Sequence, residues 1–346
     1  MKKFIISLAF ILVGLYVVDR LGGEAMWWVN QRTQDVSGPK IKYLANDVNE
    51  DIVMMGTSRC NCHYVPSIIS DTLGVSVYNG GIDASNNIYA HYIMLNHILA
   101  HHVPKVICLE VMDNDVVEEK DPFTTVTFFA PYFGRNAQAD SVFRLAGFYY
   151  RYKVSHLYRY NSKSLSNLAG LLVNRHAGGD HGYIPPFDTP HFPDSLAYWE
   201  TPQKVDTTKT EYVRKFVDLC YANGTKVVFV ASPCYAKVDS DYYDVLKQIA
   251  QAYNIPFLDY HTSGLYHDHP EYFKDPLHLR SDAHARRYSS IFAHDLKLLL
   301  FLPFTPLGSP KHGLDTESTR NRVLGKCWVN RGNSLPKQQP LWQELN

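Results

Sequence analysis

The chain has 346 residues, of which 45% are hydrophobic, and 34 Lys and Arg balance 34 Asp and Glu. That length admits one large domain or two smaller ones and is ample for a buried core. Zero net charge excludes the electrostatic footprint of a general nucleic-acid binder. Aromatics make up 13%, with 24 tyrosines, which suits tyrosine-rich packing or a groove for sugars and other polar organic ligands.

Lys2 and Lys3 precede a run without charge, Phe4 to Val18, closed by Asp19-Arg20. The run is short for a spanning helix and long for the apolar part of a cleaved signal. Two outcomes fit: an uncleaved anchor over residues 1–28, or a secreted body cut near Ala25 after "GEA". Asp19-Arg20 interrupts a signal pattern, and Trp27-Trp28 stand where an outer interfacial belt would lie, so the anchor is preferred. The lysines then stay inside, and the expected placement is single-pass in the inner (cytoplasmic) membrane with the body extracytoplasmic. Residues 29–48 read as a polar juxtamembrane linker.

Strand and helix then alternate. Asp51 to Gly56, "DIVMMG", is a buried strand, followed by a helix with Pro66 in its first turn and Gly74 at its C-terminal cap. "VSVYN" is a second strand. Ser85 or Asn86 caps a helix whose Ile88, Tyr92, Leu95 and Leu99 share one face, and Pro104 ends it. "KVICLEV" is a third strand, continuously apolar as in a parallel sheet covered on both sides. The period is lost from about 116 to 205, an aromatic-rich insertion with helix expected around Ala139 to Val173. It resumes with a helix over Thr210 to Ala222 and the strand "KVVFVASP". A helix capped by Ser240 runs to Tyr253, the strand "IPFLDY" follows, and a last helix capped by Ser281 runs to about Leu300. The expected fold is α/β: a three-layer, flavodoxin-like parallel sheet of about five strands over 49–302, with the insertion after strand three. The tail over 303–346 has no period and reads as poorly ordered.

Function in open α/β sheets gathers at the carboxyl ends of strands. Those ends carry Gly56-Thr57-Ser58-Arg59, Asn79-Gly80-Gly81, Met112-Asp113-Asn114-Asp115, Ser232-Pro233, and a long loop ending "DPLH" before the last helix. A serine attacks an ester when a base removes its proton and pre-aimed donors meet the oxyanion. Ser58 supplies a hydroxyl, and Gly80-Gly81 can bring backbone N–H groups close to a ligand. Asn114 offers an amide, and Asp275 precedes His278 by three residues. A Gly-x-Ser after a strand describes a turn when taken alone; the joint placement at successive strand ends raises it to a candidate nucleophile. Arg59 is a candidate for binding an anionic group on the substrate, with a structural ion pair as its competing role.

"GTSR", "YNGGIDAS" and "DPLH" together resemble the SGNH/GDSL hydrolase superfamily. They are most similar to its membrane-anchored bacterial branch, which includes proteins like the D-alanyl transfer protein of teichoic acid synthesis and polysaccharide O-acetyl-modifying proteins. The resemblance spans about Asp51 to Leu300 without the insertion. It implies Ser58 as nucleophile, His278 as base, Asp275 as its orienting carboxylate and Gly81 as an oxyanion glycine. Two departures stand out: the first block has Thr57 where Asp is common, and "MDND" lacks the glycine of the third block, leaving Asn114 as its match.

The activity expected is that of a serine esterase or O-acyltransferase acting on acyl esters of envelope or extracellular glycans. A membrane-embedded acyl-donor partner is compatible with the tether. The competing class is a non-catalytic, surface-anchored glycan-binding or assembly protein. No cofactor and no metal are expected: His261, His267, Asp268 and His269 read as solvated loop residues, and Cys60-x-Cys62 lacks a second pair. Cys108 and Cys220 read as buried thiols. "FYYRYKVSHLYRY", Phe148 to Tyr160, interleaves rings with cations, as a glycan-binding face or an amphipathic lid helix would.

Overall fold

The computed structural model describes residues 1–33, 38–85, 87–161, 179–186, 204–235, 242–261, 266 and 269–301. The tail, Ser240, His267, Asp268 and the C-terminal part of the helix expected near Ala139 to Val173 lie outside them.

Five parallel strands stand in the order β2-β1-β3-β4-β5: β1 (Ile52–Met55), β2 (Val77–Asn79), β3 (Val106–Glu110), β4 (Lys226–Ala231) and β5 (Phe257–Asp259). This is the flavodoxin-like order, with its topological switch between β1 and β3. Met54 pairs with Asn79 on one side and Cys108 on the other, so the carboxyl ends of the first three strands finish side by side. Every residue of β1, β2 and β3 is buried, which explains why their sequences run apolar rather than alternate.

The helices are α1 (Lys2–Arg32), α2 (Gly38–Asn46), α3 (Ser58–His63), α4 (Pro66–Leu73), α5 (Ile88–Leu99), α6 (Asp140–Leu145), α7 (Tyr149–Val154), α8 (Thr207–Ala222), α9 (Tyr242–Ala252) and α10 (Asp282–Phe301). α10 packs on α3 and α4, while α5 packs on α2 and α8. α4 has Pro66 in its first turn and Gly74 in the left-handed cap, as expected. Three local readings shift. Asn87, one residue past the expected caps, accepts from Tyr89 N–H and starts α5. Asp206 caps α8 through Thr208 and Lys209 N–H, which starts it three residues early. Among the described residues the insertion forms a 3-10 helix over Thr125–Tyr132, α6 and α7 separated at Gly147 with positive φ, and short 3-10 turns over Leu157–Tyr160 and Asp180–Gly182.

α1 is long and apolar enough to cross a membrane. It continues through the polar residues after Trp28 to Arg32. The five described cysteines, Cys60, Cys62, Cys108, Cys220 and Cys234, are buried thiols.

α5 carries His91 and His97 into the core. Burial holds both imidazoles down at about 4, with His101 adding to the effect on His97. An unfolded chain takes up these protons below about pH 6.5, whereas the native state resists until about pH 4, so each histidine removes stability as pH falls through that window. The expected loss is about 2 kcal/mol per histidine by pH 5. Thermal unfolding of the wild type against His91→Gln isolates one of them: wild type should lose about that much relative to the variant between pH 7.5 and pH 5. A difference that does not change with pH would overturn the assignment.

Candidate active site

β1 ends at Met55, and Thr57 turns the chain into α3, with its hydroxyl accepting from Arg59 N–H. Ser58 is therefore the first residue of a helix that was not expected from the sequence, although Thr57 is a preferred cap type. Its own N–H is at a position with no acceptor inside the helix. Ser58 remains partly open to solvent while Arg59 to His63 are buried.

Two groups fix this turn. From the end of β3, Glu110 Oε2 accepts from Thr57 N–H at 3.3 Å and from Thr57 Oγ1 at 3.1 Å. Its other oxygen lies 2.7 Å from Arg59 Nη2, with side-chain exposures of 3% for Arg59 and 0% for Glu110. Arg59, a candidate for substrate binding, thus points into the protein and takes the structural ion-pair role. Burial works against its charge, and Glu110 more than restores it, so its pKa is raised. From the end of β2, Asn79 Nδ2 donates to the carbonyls of Cys60 and Tyr64, both at 2.7 Å. These are carbonyls that a short helix leaves unsatisfied.

Gly81 presses on the same helix. A Cβ there would lie 2.3 Å from Asn61 N, a distance no side chain tolerates. Its N–H donates to Asn79 Oδ1 at 3.0 Å. The expected oxyanion donor is therefore engaged inside the protein, because Asn79 needs a donor for the oxygen whose amide partner holds α3. The Gly81 carbonyl accepts from Lys40 Nζ at 2.7 Å, and Lys40 also donates to Asn61 Oδ1. Burial lowers the Lys40 pKa to about 8. Lys40 and Glu110 were not singled out by sequence and belong to no motif; Asn79 stands in the "YNGGIDAS" block, but its hold on α3 is defined only by the fold.

Asp275 and His278 meet Ser58 from the loop before α10. Ser58 Oγ lies 2.7 Å from His278 Nε2. His278 Nδ1 lies 2.9 and 3.0 Å from the two Asp275 oxygens. Asp275 also accepts from the N–H groups of Leu277 and His278, both at 2.9 Å. Burial pushes the Asp275 carboxyl up, but the His278 ring and these two N–H groups outweigh it and hold the pKa below the ordinary range. A charged Asp275 takes a proton on Nδ1 as its partner, which leaves the lone pair of Nε2 toward Ser58.

The loop is braced at both sides. Tyr235 N–H donates to Pro276 O at 2.7 Å, and Lys274 N–H to His278 O at 3.1 Å. His63, the last residue of α3, accepts from Leu279 N–H at 3.0 Å through Nε2. Burial, with the nearby His278, Arg59 and Lys274, keeps the His63 pKa well below 6.5, so the ring stays neutral and its acceptor stays available. One six-residue helix thus carries Ser58 at its start and a brace for the His278 loop at its end.

Asn114 sits in a single 3-10 turn, Asp113–Asp115, just past β3. Its side chain is partly exposed, its N–H donates to Asp113 Oδ1 at 3.0 Å, and its carbonyl accepts from Lys209 Nζ at 2.9 Å. Asp115 closes the turn by accepting from Met112 N–H at 2.9 Å, and burial raises its carboxyl to about 8. His261, expected in solvent, is buried: Cys234 Sγ lies 2.6 Å from its Nδ1, and the Tyr243 ring stacks on it with centroids 4.8 Å apart.

No family model matches the chain, and no curated protein matches its sequence. Among solved structures it is similar to a Bacteroides fragilis protein assigned as an acylhydrolase (TM-score 0.38, 16% identity, 77% of this chain and 99% of that one). It is similar also to a GDSL-like lipase of Bacteroides thetaiotaomicron (TM-score 0.36, 11% identity, 72% and 88%). A third is a variant of an acetyl-xylooligosaccharide esterase of Geobacillus (TM-score 0.36, 11% identity, 75% and 97%). At this distance none of them assigns a role to a residue of this chain.

Proposed function

We propose that the protein is a membrane-tethered, SGNH-type serine esterase or O-acyltransferase acting on acyl esters of envelope or extracellular glycans. The observation that carries the chemistry is the continuous relay from Ser58 Oγ to His278 Nε2 at 2.7 Å and from His278 Nδ1 to Asp275 at 2.9 Å. In this reading Ser58 attacks the acyl carbonyl as His278 takes its proton, and Asp275 stabilises the imidazolium. The tetrahedral intermediate collapses, His278 returns the proton to the departing alcohol, and an acyl-Ser58 remains. Water or a sugar hydroxyl then attacks that ester, again through His278.

The oxyanion donors are the Ser58 N–H and the Asn114 amide, with Gly81 assigned to shaping the turn. Preorganised donors of this kind each contribute about a hundredfold or more in rate. His278 and Asp275 keep side-chain exposures of 21% and 40%. An open site of this sort admits a bulky acyl donor or a polymer chain, which favours glycan esters over small lipids buried in a tunnel. α1 would place the body outside the cytoplasmic membrane, with Lys2 and Lys3 inside, within reach of a membrane-embedded acyl donor.

The test uses the full chain in detergent. Wild type should label covalently with a fluorophosphonate, and Ser58→Ala should not. Absent labelling of the wild type, or equal labelling of the variant, would return the chain to the non-catalytic glycan-binding class.

A further inference from the structure

α1 does not leave the body where its apolar run ends. Asp19 accepts from the N–H groups of His156 at 2.8 Å and Leu157 at 3.2 Å, and from Ser155 Oγ. It therefore caps the 3-10 turn Leu157–Tyr160. Arg20 Nη2 donates to the carbonyls of Val154 at 3.2 Å and Lys153 at 3.4 Å. Gly23 lies so close that a Cβ on it would stand 2.3 Å from His156 Cβ. One turn on, Trp27 meets the Tyr132 ring edge-on at 5.3 Å, and Arg135 covers Trp27 at 4.3 Å. The aromatic stretch Phe148 to Tyr160 is thus bound to the anchor helix, about 3 Å of helical rise beyond Val18.

The outward face of that stretch is apolar. Val154 is 74% exposed and Tyr150 70%; Tyr158 is also exposed, as is Leu145 on the preceding α6, while Leu157 is partly covered by Gly22 of α1. Tyr150 and Val154 are four residues apart on α7 and share one face. Exposed apolar side chains are ordinary when scattered; gathered beside an apolar helix they mark a contact surface. Exposed Arg151 and Lys153 flank them.

Length points to the occupant. The apolar run Phe4 to Val18 rises about 22 Å, short of the roughly 30 Å hydrocarbon core. The two charges that end it do not need water: Asp19 and Arg20 pair with each other at 3.0 Å and satisfy the backbone of α7 and the turn after it. The lipid boundary can rise past them to the level of α7.

We propose that α7 and its flanking turns form an interfacial foot. Tyr150 and Val154, supported by Leu145, Leu157 and Tyr158, seat in the headgroup–acyl boundary of the bilayer that α1 crosses, and Arg151 and Lys153 meet lipid phosphates. The inference rests on α1 spanning the membrane. It makes the body a fixture with one orientation rather than a domain swinging on a tether, and it gives the cation–aromatic segment lipid instead of glycan as its ligand.

The test places one reporter thiol at a time, Leu12→Cys, Asp71→Cys, Tyr150→Cys or Val154→Cys, in the full chain carrying Cys327→Ser, the five described native thiols being buried. Each is labelled with an environment-sensitive fluorophore and reconstituted in phosphatidylethanolamine–phosphatidylglycerol vesicles carrying spin-labelled lipid. Labels at 12, 150 and 154 should shift to the blue and be quenched, with those at 150 and 154 quenched most by lipid labelled near the headgroup. The label at 71, exposed on α4, should do neither. A quenched label at 12 with aqueous labels at 150 and 154 would overturn the foot and leave the anchor standing. An aqueous label at 12 would overturn the anchor, and the foot with it. Quenching at 71 equal to that at 154 would also overturn the foot, since the contact would be non-specific.

Discussion

His278→Ala should lower ester turnover at least about a thousandfold while the protein melts within about 1 kcal/mol of wild type. The relay gives the reason. Ser58 has no other base within hydrogen-bond distance among the described contacts, and a neutral hydroxyl is a poor nucleophile. The ring is partly exposed, and its hydrogen bonds among the described residues go to Ser58 and Asp275, so its removal leaves little of the core undone. Added imidazole or higher pH should recover part of the rate, because either supplies the missing base. Asp275→Asn should lose about a hundredfold or more, since its amide can no longer stabilise the imidazolium. His63→Ala would behave differently. It removes a buried acceptor for Leu279 N–H, so it should cost both stability and turnover. Turnover of His278→Ala within a few-fold of wild type, measured on a chromogenic acyl ester, would remove the base from the mechanism.

The fold was largely legible because a doubly covered parallel sheet writes itself as apolar runs separated by helix caps. Strand ends and short motifs then offered the candidates: Ser58 just past β1, and Asp275 and His278 in the loop between β5 and α10. Beyond the expected Ser58, His278 and Asp275 grouping, what escaped the sequence was the set of contacts that hold α3 and the His278 loop in place. α3 was missed because six residues are too few to show a helical period, although Thr57 was a cap in plain view. Gly81 was read as bringing its N–H close to a ligand, whereas its close approach is to α3 and its N–H goes to Asn79, a partner only the folded turn defines. His261 was misread as solvated because a loop rich in histidine and aspartate is usually wet, whereas Cys234 and Tyr243 cover it. The aromatic segment was taken for a ligand face or a lid, and nothing in its own residues says that Asp19, more than a hundred positions earlier, holds it.

The second large effect concerns Glu110, which carries no motif at all. Glu110→Ala should cost about 3–5 kcal/mol, because it strands the buried Arg59 guanidinium without a counter-charge. For a domain of this size that is a fall of roughly 2–4 °C in melting temperature per kcal/mol. The Arg59–Glu110 contact at 2.7 Å is buried on both sides, and while Glu110 Oε2 is hydrogen-bonded by Thr57, the Arg59 guanidinium relies mainly on the Glu110 charge to replace the water it lost. Removing both charges should therefore hurt less than removing one: Arg59→Met with Glu110→Met recovers much of the lost stability, as buried pairs replaced by apolar groups commonly do. Turnover should not recover with it. Glu110 also fixes Thr57 through its N–H and hydroxyl, and Thr57 sets where α3 begins and hence where Ser58 stands. Denaturant unfolding and ester turnover, measured on Glu110→Ala, Arg59→Met, Glu110→Met and the double Met variant, separate the two roles. A Glu110→Ala protein within about 1 kcal/mol of wild type would sink the ion-pair argument. A double variant with restored turnover would sink the positioning argument, leaving Glu110 as nothing more than the partner of Arg59.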